Sequence, residues 1–306
     1  MKALITGGAG YIGMELSYSL AQLPEVSEVV VFDRLNRNNY NMFCGERKFT
    51  GANLVLVEDD VLNARALLRA VASADIIFHL AAQTPTQNFL GSSHIFEQNN
   101  HWGTASIVDA IKRSHSTKRV INLSTLAVYG HCDIEKIDQR PKPEDPYTIS
   151  KLRGESHIFE LSDFQQHTFL NVRCPIVFGY SKNLRIDQAV NRIVFDAKMR
   201  GRIQIFGDSS INAPHIYIKQ LIDTLQALAL SSETGKTVIP AATSISGLEI
   251  YEHLQSKISG LEAVFVDQGA YSSEVKLSEE VETVSGPSEP SQLESQLSEF
   301  LDSFIN

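Results

Sequence analysis

The chain has 306 residues, with 27 Lys and Arg against 36 Asp and Glu, a formal net charge of −9. Hydrophobic residues make up 43% and charged residues 21%, a balance that excludes a disordered, collagenous or disulfide-stapled chain and predicts about two domains. No apolar run reaches the roughly 18 residues of a membrane span, and the acidic balance argues against nucleic acid or a membrane surface as partner. Cys44, Cys132 and Cys174 are scattered outside metal-ligand spacing, which predicts free thiols in a reducing cytoplasm and no metal.

Ala3 to Ile5 reads as a short buried strand, followed by Gly7-Gly8-Ala9-Gly10-Tyr11-Ile12-Gly13 and a helical pattern from Met14 to Leu23. Strand, glycine turn and helix in that order let the backbone approach a pyrophosphate, which the helix N-terminus then favours. The next strand, Glu28 to Phe32, ends in Asp33, placed to accept from an adenosine ribose and to repel a 2′-phosphate. NAD is therefore expected over NADP, with Arg34 and Arg37 nearby.

Further strands are expected at Asn53 to Val57, Asp75 to Leu80, Arg119 to Leu123 and Thr168 to Arg173. Helices are expected between them at Leu62 to Ala72, Ser92 to Lys112 and Tyr147 to Leu161. This alternation predicts an α/β, Rossmann-like doubly wound parallel sheet, with ligands beyond the carboxyl ends of its strands. Past Arg173 the rhythm loosens. Helices are expected near Asp187 to Arg200, Lys219 to Leu230, Gly247 to Ile258 and Ser291 to Ile305, and a mobile loop over Ser272 to Ser291. The division is then 1–175 for the cofactor and 176–306 mostly for a smaller substrate-binding lobe. His79, inside an apolar strand, reads as a core histidine, and His94, His101, His115 and His215 have no metal spacing.

Tyr147 and Lys151 are four residues apart, on one helical face. A phenol with a pKa near 10 is a poor base at neutral pH, and a nearby ammonium favours its ionised form. The preceding strand ends in Ser124-Thr125-Leu126-Ala127, which brings a hydroxyl to the same sheet edge. A hydroxyl, a tunable phenol and an ammonium around one substrate oxygen suit reversible alcohol oxidation.

With these motifs in order, together with Asp60-Val61, His79-Leu80-Ala81-Ala82 and Asn100 to Thr104, the chain resembles the extended short-chain dehydrogenase/reductase family. The likeness is strongest to its NAD-dependent nucleotide-sugar epimerase and dehydratase branch, over residues 1 to about 230. The resemblance implies that Gly7, Gly10, Tyr11, Ile12, Gly13, Asp33, Asp60, Val61, Leu80, Ala81, Ala82, Asn100, Tyr147, Lys151 and Pro175 hold NAD. It implies catalysis by Thr125, Tyr147 and Lys151, with Asn100 supporting the catalytic helix. Thr84, Thr125, Arg185 and Asn191 would then meet a nucleoside-diphosphate sugar, and the protein would form a homodimer through the helices near Ser92 to Lys112 and Tyr147 to Leu161.

Members that eliminate water carry acids just after the active-site Thr, whereas here Leu126 and Ala127 follow it. The expected reaction is accordingly epimerisation, at C4, through a 4-keto intermediate. The alternatives are a 4-ketoreductase using the same residues and, more distantly, a non-catalytic dinucleotide-binding regulator. One departure concerns the substrate. Ala213 and Gln220 stand where many relatives carry a diphosphate-binding Arg and a later Asp, leaving Arg185, Arg192 or Lys219 to substitute.

Overall fold

The first half of the chain alternates short apolar strands with amphipathic helices. A computed structural model describes residues 1–36, 39–44, 51–85, 93–114, 116, 118–266, 275–287 and 292–304. It opens with β1 (Lys2–Thr6), α1 (Tyr11–Ala21), β2 (Glu28–Asp33), β3 (Asn53–Glu58), α2 (Ala64–Ser73) and β4 (Ile76–His79). There follow α3 (Ser93–Phe96), a wider π turn over Glu97–Trp102, α4 (Gly103–Lys112), β5 (Arg119–Thr125), β6 (Asp133–Ile134), α5 (Pro146–Phe159), β7 (Thr168–Cys174) and β8 (Ile176–Phe178). The remainder comprises α6 (Ala189–Arg200), β9 (Arg202–Phe206), β10 (Ala213–Tyr217), α7 (Ile218–Leu230), β11 (Lys236–Val238) and β12 (Thr243–Ile245). Last come α8 (Gly247–Lys257), β13 (Glu262–Val266), β14 (Lys276–Leu277) and α9 (Leu293–Asp302).

Seven strands form one parallel sheet in the order β11-β7-β5-β4-β1-β2-β3, so the chain reverses its direction of winding at β1. Successive residues of a strand face opposite sides. Leu4, Val30, Ile77 and Val120 pack with α2 and α4, whereas Ile5, Val31 and Ile121 pack with α1 and α7. That double burial explains why these strands read as continuous apolar runs rather than alternating ones. The carboxyl ends of β1 and β4, where the order reverses, open a crevice at the edge of the sheet. Three smaller sheets, β12-β10-β8, β13-β9 and β14-β6, complete the described strands.

The parallel α/β architecture agrees with the sequence expectation; the differences lie at element ends, within one helix and in the stretch 275–287. The expected helix at Leu62 begins at Ala64 because the Asn63 side chain caps it, accepting from Ala66 N. Asp60 acts just upstream, where Oδ1 accepts from Leu62 N and Oδ2 meets Arg34 Nη1 at 3.0 Å. The long helix expected from Ser92 is described from Ser93 and is interrupted by the π turn, which sets Asn100 at 1% exposure toward α5. The stretch expected to be a mobile loop is ordered over 275–287: β14 pairs with β6, Val275 and Val281 are buried, and Pro240 bridges Val284. The terminal helix spans Leu293–Asp302. Arg37, Ser92, His115, 272–274, 288–291 and Ile305 lie outside the described residues.

No helix among the described residues is long and apolar enough to cross a membrane. No group of three or more His, Cys, Asp or Glu among them could hold a metal.

Candidate active site

The turn after β1 is fixed by contacts that only glycine permits. Gly7 has φ +71°, and a Cβ there would lie 2.7 Å from Ala81 N; a Cβ on Gly13 would run into the Gly7 carbonyl oxygen. The first turn of α1 therefore abuts the turn, and its N-cap, Gly10, carries no capping side chain. Gly7, Gly10, Tyr11, Ile12 and Gly13 line a cleft of about 810 Å³ at the sheet reversal. Asp33 closes β2 beside them, its Oδ2 accepting from Ala9 N at 3.1 Å and its Oδ1 from Leu35 N at 2.9 Å. A side-chain-free cradle, a helix N-terminus and an acid at the tip of the second strand fit a dinucleotide. Asp60, Val61, Leu80, Ala81, Ala82 and Pro175 extend the same wall.

Tyr147 enters on the first turn of α5. Asp145 caps that turn, accepting from Tyr147 N at 2.8 Å and Thr148 N at 3.1 Å, and Pro146 supplies a preset backbone angle. Lys151 follows one turn later, and Thr125 arrives at the end of β5, where its Oγ1 accepts from Ala127 N at 3.2 Å. All three line the cleft. Burial pushes the Tyr147 phenol up to about 12; the Arg185 charge opposes this, while Cys174 and Asp145 reinforce it. Burial brings the Lys151 ammonium down to about 8, against the opposing charge of Glu155. The sequence suggests Lys151 as the cation that favours the phenolate; in the folded chain Arg185 exerts that influence on Tyr147.

A polar seam holds this helix to the sheet. Asn100 Nδ2 donates to Gln83 O at 2.9 Å and to Ser150 Oγ at 3.0 Å, and its Oδ1 accepts from Gln83 N at 2.7 Å. It thus ties the loop after β4 to α5 from behind the cleft, whose lining does not include it. Thr104 Oγ1 donates to Asn100 O at 2.6 Å, so the His79 Nε2 at 2.9 Å must be the donor to that hydroxyl and Nδ1 the acceptor from Thr6 Oγ1. Burial drops His79 to about 3, which keeps it neutral as a core residue. Deeper still, Arg173 donates from Nε and Nη2 to the two Glu155 oxygens at 3.1 and 2.7 Å, with Tyr129 stacked 4.7 Å from the guanidinium.

The segment after β8 clasps the glycine turn. Tyr11 Oη donates to Gly179 O at 2.7 Å, and Asn183 Nδ2 donates to Ala9 O at 2.6 Å. Asn191, fully buried, does not line the cleft; it accepts from Gly179 N at 3.0 Å and donates to Arg185 O at 3.2 Å, bracing the segment from behind. Arg185 and Thr84 do line it. The Arg185 guanidinium pairs with Asp187 through two nitrogens and reaches Pro85 O at 3.2 Å. Of the three cations that could replace the one missing at Ala213, only Arg185 lines the cleft: Arg192 pairs with Asp196 and Lys219 with Glu299. Sequence reasoning missed Phe195, Pro214, Val275 and Phe304 on this side, since only tertiary packing brings them there.

A model of the NAD dependent epimerase/dehydratase family matches residues 3–239. The trifunctional UDP-glucose 4,6-dehydratase/UDP-4-keto-6-deoxy-D-glucose 3,5-epimerase/UDP-4-keto-L-rhamnose-reductase RHM2 of Arabidopsis thaliana is 25% identical over 244 residues, 76% of this chain. The match spans 35% of that protein, so this chain covers about a third of its length. A Bacillus subtilis (strain 168) protein described as an uncharacterized UDP-glucose epimerase is 26% identical over 291 residues, covering 85% of this chain and 87% of its own. In fold, the chain is similar to UDP-glucuronic acid 4-epimerase from Bacillus cereus, solved with UDP-glucuronic acid and NAD, at a TM-score of 0.81 and 23% identity. That likeness covers 99% of this chain and 98% of the other.

Proposed function

The chain belongs to the NAD dependent epimerase/dehydratase family, and on that premise we propose that it epimerises a nucleoside-diphosphate sugar at C4. The observation that carries the reading is the company Tyr147 keeps. Thr125 and Lys151 share its cleft, Leu126 and Ala127 follow Thr125, and the one carboxylate among the described residues of the substrate-side wall, Asp187, is bound to Arg185. Removal of water from the sugar needs a carboxyl acid or base beside the phenol, and these positions offer none. Bound NAD supplies a reversible hydride acceptor. The protein's own part is to hold the substrate hydroxyl between Thr125 and Tyr147 and to move its proton at the Tyr147 oxygen. Lys151 holds positive charge beside the cofactor, and Arg185 biases Tyr147 toward the phenolate.

Incubation with UDP-glucose, UDP-N-acetylglucosamine or UDP-glucuronic acid and catalytic NAD should interconvert one of these pairs of C4 epimers by NMR, without net NADH change. Tyr147→Phe should lower the rate by about 10²–10⁴-fold while NAD still binds. Stoichiometric consumption of NADH would instead make the protein a ketoreductase. A homodimer belongs to the same reading: Trp102 and Phe159 stand exposed on the helical stretch Ser93–Lys112 and on α5. Light scattering giving the mass of one chain would rule it out.

A further inference from the structure

Outside the cleft, two histidines from different elements face each other. His101 of the π turn and His157 of α5 stack with ring centroids 5.0 Å apart and planes inclined by 19°, and their Nε2 atoms lie 3.0 Å from each other. Neither residue lines the cleft. A carboxylate stands behind each ring: His101 Nδ1 donates to Glu97 Oε2 at 2.8 Å, and His157 Nδ1 donates to Glu160 Oε1 at 2.7 Å. A separation of 56 residues conceals the pair from any reading of spacing.

The carboxylates decide what the facing nitrogens can do. An ionised carboxylate only accepts, so each Nδ1 carries its ring's proton, and the Nε2 of a neutral ring is left with a lone pair. Hydrogen bonds from Lys112 and His157 hold the Glu160 carboxyl below its ordinary value. Two lone pairs meeting at 3.0 Å need a positive centre between them; a proton is one such centre and a metal ion the other. With metal–nitrogen bonds of about 2.0–2.1 Å, two imidazoles at a right angle lie about 2.9 Å apart, and at the tetrahedral angle about 3.3 Å. The observed separation falls between these, so the rings need move by only tenths of an ångström.

The surroundings also select the ion. Arg153 pairs with Glu97 and Lys112 with Glu160, which balances both carboxylates, so a cation is drawn by nitrogen lone pairs and not by net negative charge. That donor set favours zinc, nickel or copper over magnesium or calcium, which seek oxygen. The two imidazole side chains are 23% and 28% exposed, open to an ion from solvent. A carboxylate on the far nitrogen is the support that metal-bound imidazoles use.

We propose that His101 and His157 bind a divalent transition-metal ion through their Nε2 atoms, and that the ion fastens the π turn to α5. The two imidazoles fill two of its positions and water the rest, fewer protein ligands than a closed structural site has. Asn100 adjoins His101, and α5 carries Tyr147, Ser150 and Lys151, so an ion here reinforces the seam between Asn100 and Ser150. The site stands whether or not the cleft turns over a nucleotide sugar.

Calorimetry on the untagged, NAD-saturated full chain, with zinc, nickel and magnesium chlorides as probes, tests the site. Zinc or nickel should bind at one ion per chain, and at least about tenfold more weakly to His101→Gln and to His157→Gln. Excess magnesium should not displace it. In the wild type the bound ion should slow amide hydrogen exchange over residues 98–104, and in the two variants it should not. No binding of zinc or nickel would leave a shared proton between the rings and overturn the site. Affinity equal to wild type in either variant, or displacement by magnesium, would overturn it as well. Binding that leaves exchange over 98–104 unchanged would overturn the fastening of turn to helix. Should one variant fail to fold, the other carries the same expectation.

Discussion

Tyr147 and Lys151 are adjacent on one helical face, yet burial acts on them in opposite senses. It raises the phenol to about 12 and lowers the ammonium to about 8, in each case favouring the neutral form. For Lys151 this has a thermodynamic signature. Between pH 8 and the ordinary lysine value of 10.5 the unfolded chain holds a proton that the folded chain has given up, so this group's contribution to stability rises with pH there. Below pH 8 the full cost of burying the charge persists, on the order of 3 kcal/mol. Lys151→Met should accordingly be more stable than the wild type at pH 7 by an amount of that order, while losing activity. Its advantage should shrink toward pH 10. Denaturation curves at the two pH values check this, and an equal advantage at both would show that packing, not charge, is responsible. This trade of stability for a site residue is legible in the sequence only as far as the pairing of Tyr147 with Lys151. The Arg185 charge that also acts on Tyr147 comes from 38 residues further along, by count, and no local pattern points to it.

The elements that position these groups differ in how openly the sequence declares them. The glycine turn, Asp33 and the Asp145 cap act over a few residues, so spacing alone reveals them. The π turn at Glu97–Trp102 leaves no such mark, because its residues continue the helical pattern on either side; only the bonds of Asn100 to Gln83 and Ser150 distinguish it. Likewise the order of 275–287 depends on the pairing of β14 with β6, a partner far away in the chain, whereas its Ser- and Glu-rich composition suggests mobility. The Glu155–Arg173 pair, at 2% and 7% side-chain exposure, fastens α5 to β7 and is tested at this scale. Glu155→Leu leaves a buried guanidinium unpaired and should cost about 3–5 kcal/mol. The double change Glu155→Leu with Arg173→Met should recover most of that loss in chemical denaturation. No recovery would mean that Tyr129, stacked on the guanidinium, carries the interaction instead.

Across the whole molecule, the sheet does not end where its motifs do. Strand β11 pairs with β7 in register, Lys236 to Leu170, and α7 packs beside α1 over the same core. A fragment of residues 1–175 retains the glycine turn, Asp33, Thr125, Tyr147 and Lys151, but lacks the strand and helix that cover this part of the sheet. It should therefore be insoluble or open, with NAD affinity at least tenfold weaker than the full chain, as equilibrium dialysis would show. Undiminished binding by a soluble fragment would mean that β11 and α7 are dispensable to the cofactor half. The clasp of Tyr11 on Gly179 points the same way, since it joins the cofactor turn to a residue just past such a cut. Timing during synthesis follows from this arrangement. At about 5–20 residues per second, the ribosome finishes the edge strand β11 roughly 3–13 s after β7, and Phe304 about as long again later. For that interval the nascent sheet presents the unpaired edge of β7 to its surroundings, a period of exposure in which a chaperone would find its substrate.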